Sequence, residues 1–323
     1  MCVQPDGRDV ETTTTAVIPA TEWSRITLCS ASPSVRERPT LLMSLRQLAQ
    51  EHGLHRVGAR PPLGHYLAEV WQRRDFIFTM ANYRLRAELE VNRLGIAWVV
   101  LRPILSAAIY GTIFGLIQMG NRPPDFAAFV VVGVFFFDFF QSSFNDGAKA
   151  ITNSRSLLQS LAFPRMTLPL AVAIEKLIAF VVMLIVLVPI LALLGHYPTW
   201  DWLFVIPLVA LFVLFNAGIA MYAARLTVHV ADLTQLIPFI TRILFYTSGV
   251  LFAVDRILAD HPWALRLFDF HPIYQVVHMA RHYLIGGSDF PLYYWALFSA
   301  ISVVIFVSGA LFFWSAEERY GRD

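Results

Sequence analysis

The stretch NSRSLLQSLAFPRMTLPL, residues 153–170, lies between two long apolar runs and sets their orientation. Its first half is polar and helix-competent. Pro164 stops that helix, because the residue before a proline, here Phe163, is pushed out of the α region. Lys149, Arg155 and Arg165 flank the stretch, and short loops with Lys and Arg near span ends stay in the cytoplasm. The reading is a short cytoplasmic helix within 151–162. Its Leu157 and Leu158 would meet water there unless another protein covered them, and exposed apolar patches tend to mark partners. The competing reading is an ordinary loop on the lipid surface.

Outward from that stretch, apolar runs cover about 94–117, 126–144, 168–194, 202–224, 236–254 and 292–314. Each is close to the roughly 20 residues that a helix needs to cross a bilayer. Six crossings put both termini on one side. That side receives the Arg-rich segment before Leu94, the 149–165 loop, Arg225, Arg319 and Arg322. The opposite side receives Arg122, Arg256 and Arg266. The bias expects both termini in the cytoplasm and a multi-pass protein of the bacterial cytoplasmic (inner) membrane. Composition agrees with the class: 57% of residues are hydrophobic and 15% charged, against about 25% charged in a soluble domain. The fold class is therefore an all-α membrane protein. A net charge of +2 makes no case for nucleic acid. Cys2 and Cys29 suggest neither a disulfide framework nor a thiolate metal site.

The chain divides into a polar N-terminal tail, 1–63, an amphipathic helix, 64–93, and a six-span domain, 94–323. The tail carries TTTT at 12–15, scattered prolines and no core pattern, as disordered segments do. In 64–93, Leu67, Val70, Trp71, Phe76, Ile77 and Met80 recur at helical spacing, interleaved with Arg73, Arg74, Arg84 and Arg86. An apolar face with Trp and Phe beside an Arg-rich face describes a helix lying in the membrane interface. The segment 255–288 is too long for a simple turn. It holds two short helical pieces, about 263–268 and 274–284, with Pro272 before the second and Gly286-Gly287 after it. They read as re-entrant half-helices before the last span.

Several chemistries lack their residues. No G-x-x-x-x-G-K-[ST] loop is present, so the chain is not expected to hydrolyse ATP by itself, and no catalytic or cofactor-binding residues are expected. His278 and His282 stand four apart with His271 nearby, but no carboxylate or Cys completes a metal set. Charges in or near spans are costly in lipid and face protein or water. Asp138 sits inside FFFDFF, with Arg242 a candidate partner. Arg102 lies near the start of the first span, and Glu175 and Lys176 read as braces in the third. Arg84, Arg86, Arg93 and Arg102 form a candidate basic collar at headgroup depth, because the guanidinium fork holds phosphate oxygens bidentately. The phenylalanines at 135–137, 139 and 140 wrap the whole circumference of one helix, so only some could line a path.

These pieces together resemble a known family. The order is the Arg-rich helix, LGIAWVVLRPIL, NSRSLLQSLAFPRMTLPL and HPIYQVVHMARHYLIGG. It is similar to the transmembrane permease subunit of type II ABC exporters that move lipid-linked polysaccharides, the O-antigen, teichoic acid and galactan group. The resemblance runs from about Tyr66 to Trp314. His271-Pro272 departs mildly from the Asn-Pro of many relatives. The resemblance implies a homodimer with two copies of a separate ATPase that binds ATP and Mg. It implies docking of that ATPase through Asn153, Leu157, Leu158, Phe163 and Arg165. It implies a channel lined by Trp98, Tyr110, Phe136, Asp138 and Phe140, and an outer gate with His271, Tyr274, His278 and Arg281. The cargo would be a polyprenyl-diphosphate-linked glycan. YLAEVWQRRDFIF and the scarcity of Lys favour a galactan exporter. Two alternatives stay open: an exporter of a drug or small lipid with the same fold, and a membrane-embedded polyprenyl-sugar glycosyltransferase. The latter needs acidic residues near the first outer loop, where only Asp125 stands.

Overall fold

A computed structural model describes residues 62–90, 95, 97–118, 125–161, 163–257, 261–286 and 290–317. Residues 1–61, Arg93 and Gly287 lie outside them, so the tail and one arginine of the expected collar are not placed. All regular structure among the described residues is helical. The helices are α1 Leu63–Gln72, α2 Arg74–Glu90, α3 Ala97–Ile117, α4 Phe126–Ala148, α5 Arg155–Ser160 and α6 Thr167–Leu193. They continue as α7 Val205–His229, α8 Leu233–Thr247, α9 Val254–Ile257, α10 Pro262–Asp269, α11 Pro272–Ile285 and α12 Tyr293–Trp314.

Among the described residues, five helices are long and apolar enough to cross a membrane: α3, α4, α6, α7 with its leading turn (Trp200–His229), and α12. The expected fifth of six spans, 236–254, departs from the sequence reading. Its helix, α8, has 15 residues, and at 1.5 Å per residue spans about 22 Å of a roughly 30 Å hydrocarbon core. It stops because Ser248 leaves helical geometry and Gly249 takes a left-handed φ of 65°, a conformation that costs glycine nothing. The chain then runs irregularly to Ala253. Hydropathy continued past the end of the helix because Val250, Leu251 and Val254 are buried whatever their backbone does.

The core is built on α4, which contacts α3, α6, α7, α8 and α11. Phe135, Phe136, Phe137 and Phe139 are each at most 1% exposed. Rings from neighbouring helices close on them: Phe139 stacks on Phe180 of α6 at 4.5 Å, and Phe137 meets Phe245 of α8 edge-on at 5.0 Å. Helices α7 and α12 cross closely. A Cβ on Gly218 would lie 2.7 Å from the Ile305 carbonyl oxygen, so only glycine permits this approach.

The expected single helix over 64–93 is two, broken at Arg73, whose N–H reaches both Glu69 O (3.1 Å) and Val70 O (3.2 Å). Helix α2 packs along α6. Its Ile77 and Ala81 are buried, while Phe78 and Tyr83 face outward.

Candidate functional site

Two adjoining cavities run beside α4. The larger, about 570 Å³, is bounded by α2, α3, α4 and α6 and includes Trp98, Arg102, Asp138, Asn145, Asp146 and Lys176. The smaller, about 220 Å³, lies toward α8 and includes Tyr110, Phe137, Thr241 and Arg242. Ser106, Asp138 and Gln141 line both, so the two lie side by side along α4 and are together termed the lane. Its polar edge follows helical spacing. Helix α3 contributes Arg102, Ser106 and Tyr110, four apart. Helix α4 contributes Asp138, Gln141, Ser142, Asn145 and Asp146, three or four apart and therefore on one face. Trp98, Phe139 and Phe180 supply flat apolar walls in the larger cavity. Hydroxyl, amide and carboxylate groups between aromatic faces suit a molecule with many hydroxyls and apolar C–H faces.

Of the expected channel residues, Trp98, Tyr110 and Asp138 reach the lane. Phe136 and Phe140 turn away from it into the helix packing, against Phe180 and Phe212, and against Phe137 and Phe215. Phe137 and Phe139 take the lining positions instead. Arg242 borders the smaller cavity together with Asp138.

Of the expected basic collar, Arg102 is exposed and lines the larger cavity. Arg86 is exposed. Arg84 is occupied by Glu175, Nε to Oε2 at 2.9 Å. Glu175 and Lys176 do brace helices, as their position suggested. Glu175 Oε1 lies 2.8 Å from Lys176 Nζ, which also lies 2.7 Å from Asp146 Oδ2 of α4.

At the α5 end of the bundle, Asn153 is exposed, and Leu157 and Leu158 are half-buried. Both leucines pack on Ala150, Leu168 and Val172, so their own chain covers much of what sequence alone leaves open to water. Leu161, 53% exposed, is the apolar side chain facing out. Phe163 meets Phe76 of α2 at 5.2 Å. The Arg165 N–H donates to Glu317 Oε1 at 3.0 Å, and its guanidinium donates to the Glu317 backbone oxygen. Tyr66 of α1 donates its hydroxyl to Glu317 Oε2 (2.8 Å) and accepts from Met166 N–H (3.1 Å). One buried knot thus ties α1, the Phe163-Pro164-Arg165 elbow and the end of α12. Burial holds the Glu317 carboxyl above the ordinary carboxylate range, against the opposing pull of the Arg165 N–H and the Tyr66 hydroxyl.

At the other end, α10 and α11 form the two short pieces. His271 caps α11 by accepting from Tyr274 N–H at Nδ1, 3.2 Å. Tyr274 is buried beside His278, ring to ring at 5.4 Å. Arg281 is 6% exposed and donates to Phe129 O (3.0 Å), Gly249 O (2.8 Å) and Val250 O (2.6 Å). Asp269 accepts from Tyr293 (2.9 Å) and Tyr294. No group of three His, Cys, Asp or Glu side chains among the described residues is placed to hold a metal ion.

Sequence reasoning missed Gln141, Ser142, Asn145, the Asp146–Lys176 pair and Glu317. The α4 residues carried a usable signal, since sparse polar side chains at helical spacing on an apolar span mark one face. Glu317 carried none, because its partners lie at positions 66 and 165.

Apolar helices around a polar lane define a membrane-spanning transporter. The family model for the ABC-2 type transporter matches residues 77–285, and the chain belongs to that family. Among curated proteins it is similar to the O-antigen export system permease protein RfbA of Myxococcus xanthus. The two are 31% identical over 132 residues, 41% of this chain and 50% of the relative. A Klebsiella pneumoniae protein of the same name is 28% identical over 148 residues, 46% of this chain and 57% of the relative. The chain thus spans about half the length of the curated relatives it matches.

Proposed function

We infer that the chain is the permease subunit of an ATP-driven exporter that carries a polyprenyl-diphosphate-linked polysaccharide across the cytoplasmic membrane. The observation carrying this reading is the lane. Its hydroxyl, amide and carboxylate edge with aromatic walls suits a glycan better than a lipophilic drug, for which buried polar groups would be left unpaired. The names of the RfbA relatives, which are O-antigen export permeases, support the cargo class. ATP and Mg belong to a separate ATPase that docks at α5, and two copies of each subunit make the exporter. Helix α8 with the irregular segment after it completes the sixth crossing, which leaves both termini cytoplasmic. Galactan is the preferred glycan.

The test is transport in everted proteoliposomes that hold the chain and its ATPase. ATP-dependent protection of a lipid-linked glycan from added glycosidase is the expected result. Export of a small lipophilic dye, without glycan protection, would replace this reading with that of a drug or small-lipid exporter.

A further inference from the structure

Four charged groups on three helices stand in a row: Arg84 of α2, Glu175 and Lys176 of α6, and Asp146 of α4, each 2.7–2.9 Å from the next. Their burial is uneven. The Glu175 side chain is 4% exposed and Lys176 8%, whereas Asp146 is 40% exposed. Glu175 is held from both sides, by Arg84 and by Lys176. Asp146 and Lys176 both line the larger cavity. One carboxylate on the Lys176 ammonium is therefore locked, and the other faces a space that a ligand can enter.

An ammonium is a compact charge with three rotatable donors. It exchanges one oxyanion for another without the fixed geometry that a guanidinium demands. A phosphate oxygen offers the same acceptor as a carboxylate oxygen, and a displaced Asp146, already half in contact with the cavity, recovers its hydration. We propose that Lys176 is an oxyanion-exchange site, where a phosphate oxygen of a molecule in the lane takes the place of Asp146. The identity of that molecule as the exported diphosphate lipid rests on the function proposed above; an anionic phospholipid headgroup offers the same chemistry. Exchange has a mechanical consequence. Asp146 lies two residues before the end of α4, and the chain runs from there through Lys149 into α5. Releasing Asp146 from α6 loosens the end of α4 that carries α5, so that occupancy of the lane is linked to the segment facing the ATPase.

The experiment measures binding of farnesyl diphosphate to the full-length chain in phosphatidylcholine nanodiscs. Asp146→Asn removes the competing carboxylate and tightens binding about tenfold, the scale of one charge-assisted hydrogen bond. Lys176→Gln abolishes binding. Asp138→Asn, an acid on the same cavity, controls for a general field effect and changes affinity much less. Equal tightening in Asp138→Asn and Asp146→Asn, or none in Asp146→Asn, overturns the exchange. A second measurement needs no substitution at the site. The chain has two lysines, Lys149 and Lys176, so ¹⁵N-lysine labelling gives two ammonium signals, assigned with Lys149→Arg. Farnesyl diphosphate is expected to shift the Lys176 signal. If it binds without shifting that signal, the exchange is wrong while the export reading stands. If phosphatidylglycerol shifts the signal and farnesyl diphosphate does not, the exchange stands and the export cargo loses its support.

Discussion

Arg281 closes backbone that α8 leaves open. Past Thr247 the chain is irregular, and carbonyls in an apolar surrounding need donors from elsewhere. The guanidinium spans Gly249, Val250 and Phe129, and lies 3.3 Å from the centre of the Phe129 ring. Each buried carbonyl left without its partner costs about 1–3 kcal/mol, so Arg281→Met is expected to lower the melting temperature of the detergent-solubilised chain by many degrees. Arg281→Lys is expected to recover little, because an ammonium cannot fan across three carbonyls on two elements. A melting point for Arg281→Lys equal to the native one would rule out this role. Gly133→Ala gives an independent check. Its Cβ would meet the Arg281 guanidinium and lie 3.1 Å from the Val250 carbonyl oxygen, so it is expected to weaken the clamp without touching any charge. In the sequence, Arg281 stood out only through the family resemblance, as a residue of an outer gate. What it satisfies depends on where α8 stops, which the sequence left hidden in an apolar run.

The short elements divide into those with local signals and those without. Helix α11 was legible because Pro272 sits at its start and Gly286 ends it in a left-handed conformation, and the short apolar piece before it marked α10. The end of α8 was not, because a buried coil is as apolar as a buried helix. Helix α5 was legible in place but not in facing, since burial of Leu157 and Leu158 needs Leu168 and Val172 from the next helix. The facing bears on how docking is tested. Leu161→Asp, at the exposed position, is expected to reduce co-purification of the ATPase without lowering the melting temperature, since roughly 1.5–3 kcal/mol of leucine burial would be lost only at the partner. Leu158→Asp should lower both. If Leu161→Asp leaves the complex intact, docking uses another face. Helix α11 adds a pH dependence. Burial holds the His271 imidazole below its ordinary value of 6.5, and its neutral Nδ1 caps the helix. The unfolded chain therefore binds the proton more readily. The stability of this cap, about 1 kcal/mol by comparison with other N-caps, is present above pH 6.5 and lost as the pH falls toward the folded value. Hydrogen-exchange protection factors in α11, taken relative to the intrinsic amide rate at each pH, should fall on acidification, and His271→Asn, which keeps a capping acceptor that does not titrate, should remove that fall.

For the whole molecule, the lane's position follows from how polar and aromatic residues share α4. Five phenylalanines in six positions wrap the helix and carry no direction. Asp138, Gln141, Ser142 and Asn145 do carry one, and they face the same space as Arg102, Ser106 and Tyr110 of α3. Ser106 stands where the two cavities meet and is only partly buried. A large side chain there would divide the lane without disturbing the core that Phe136 and Phe139 build. Ser106→Trp is therefore expected to keep the native melting temperature and assembly with the ATPase, to keep ATP hydrolysis, and to reduce glycan protection in everted proteoliposomes about tenfold or more. Val304→Trp is the control for added bulk, because Val304 lies on the outer face of α12, 62% exposed, and its transport should match the native protein. The prediction separates a path from a mere gap between helices. If Ser106→Trp transports as well as Val304→Trp, the cargo passes elsewhere. The polar stripes of α3 and α4 would then be hydrogen-bonding faces between helices, whose pairing in apolar surroundings is reason enough for their presence.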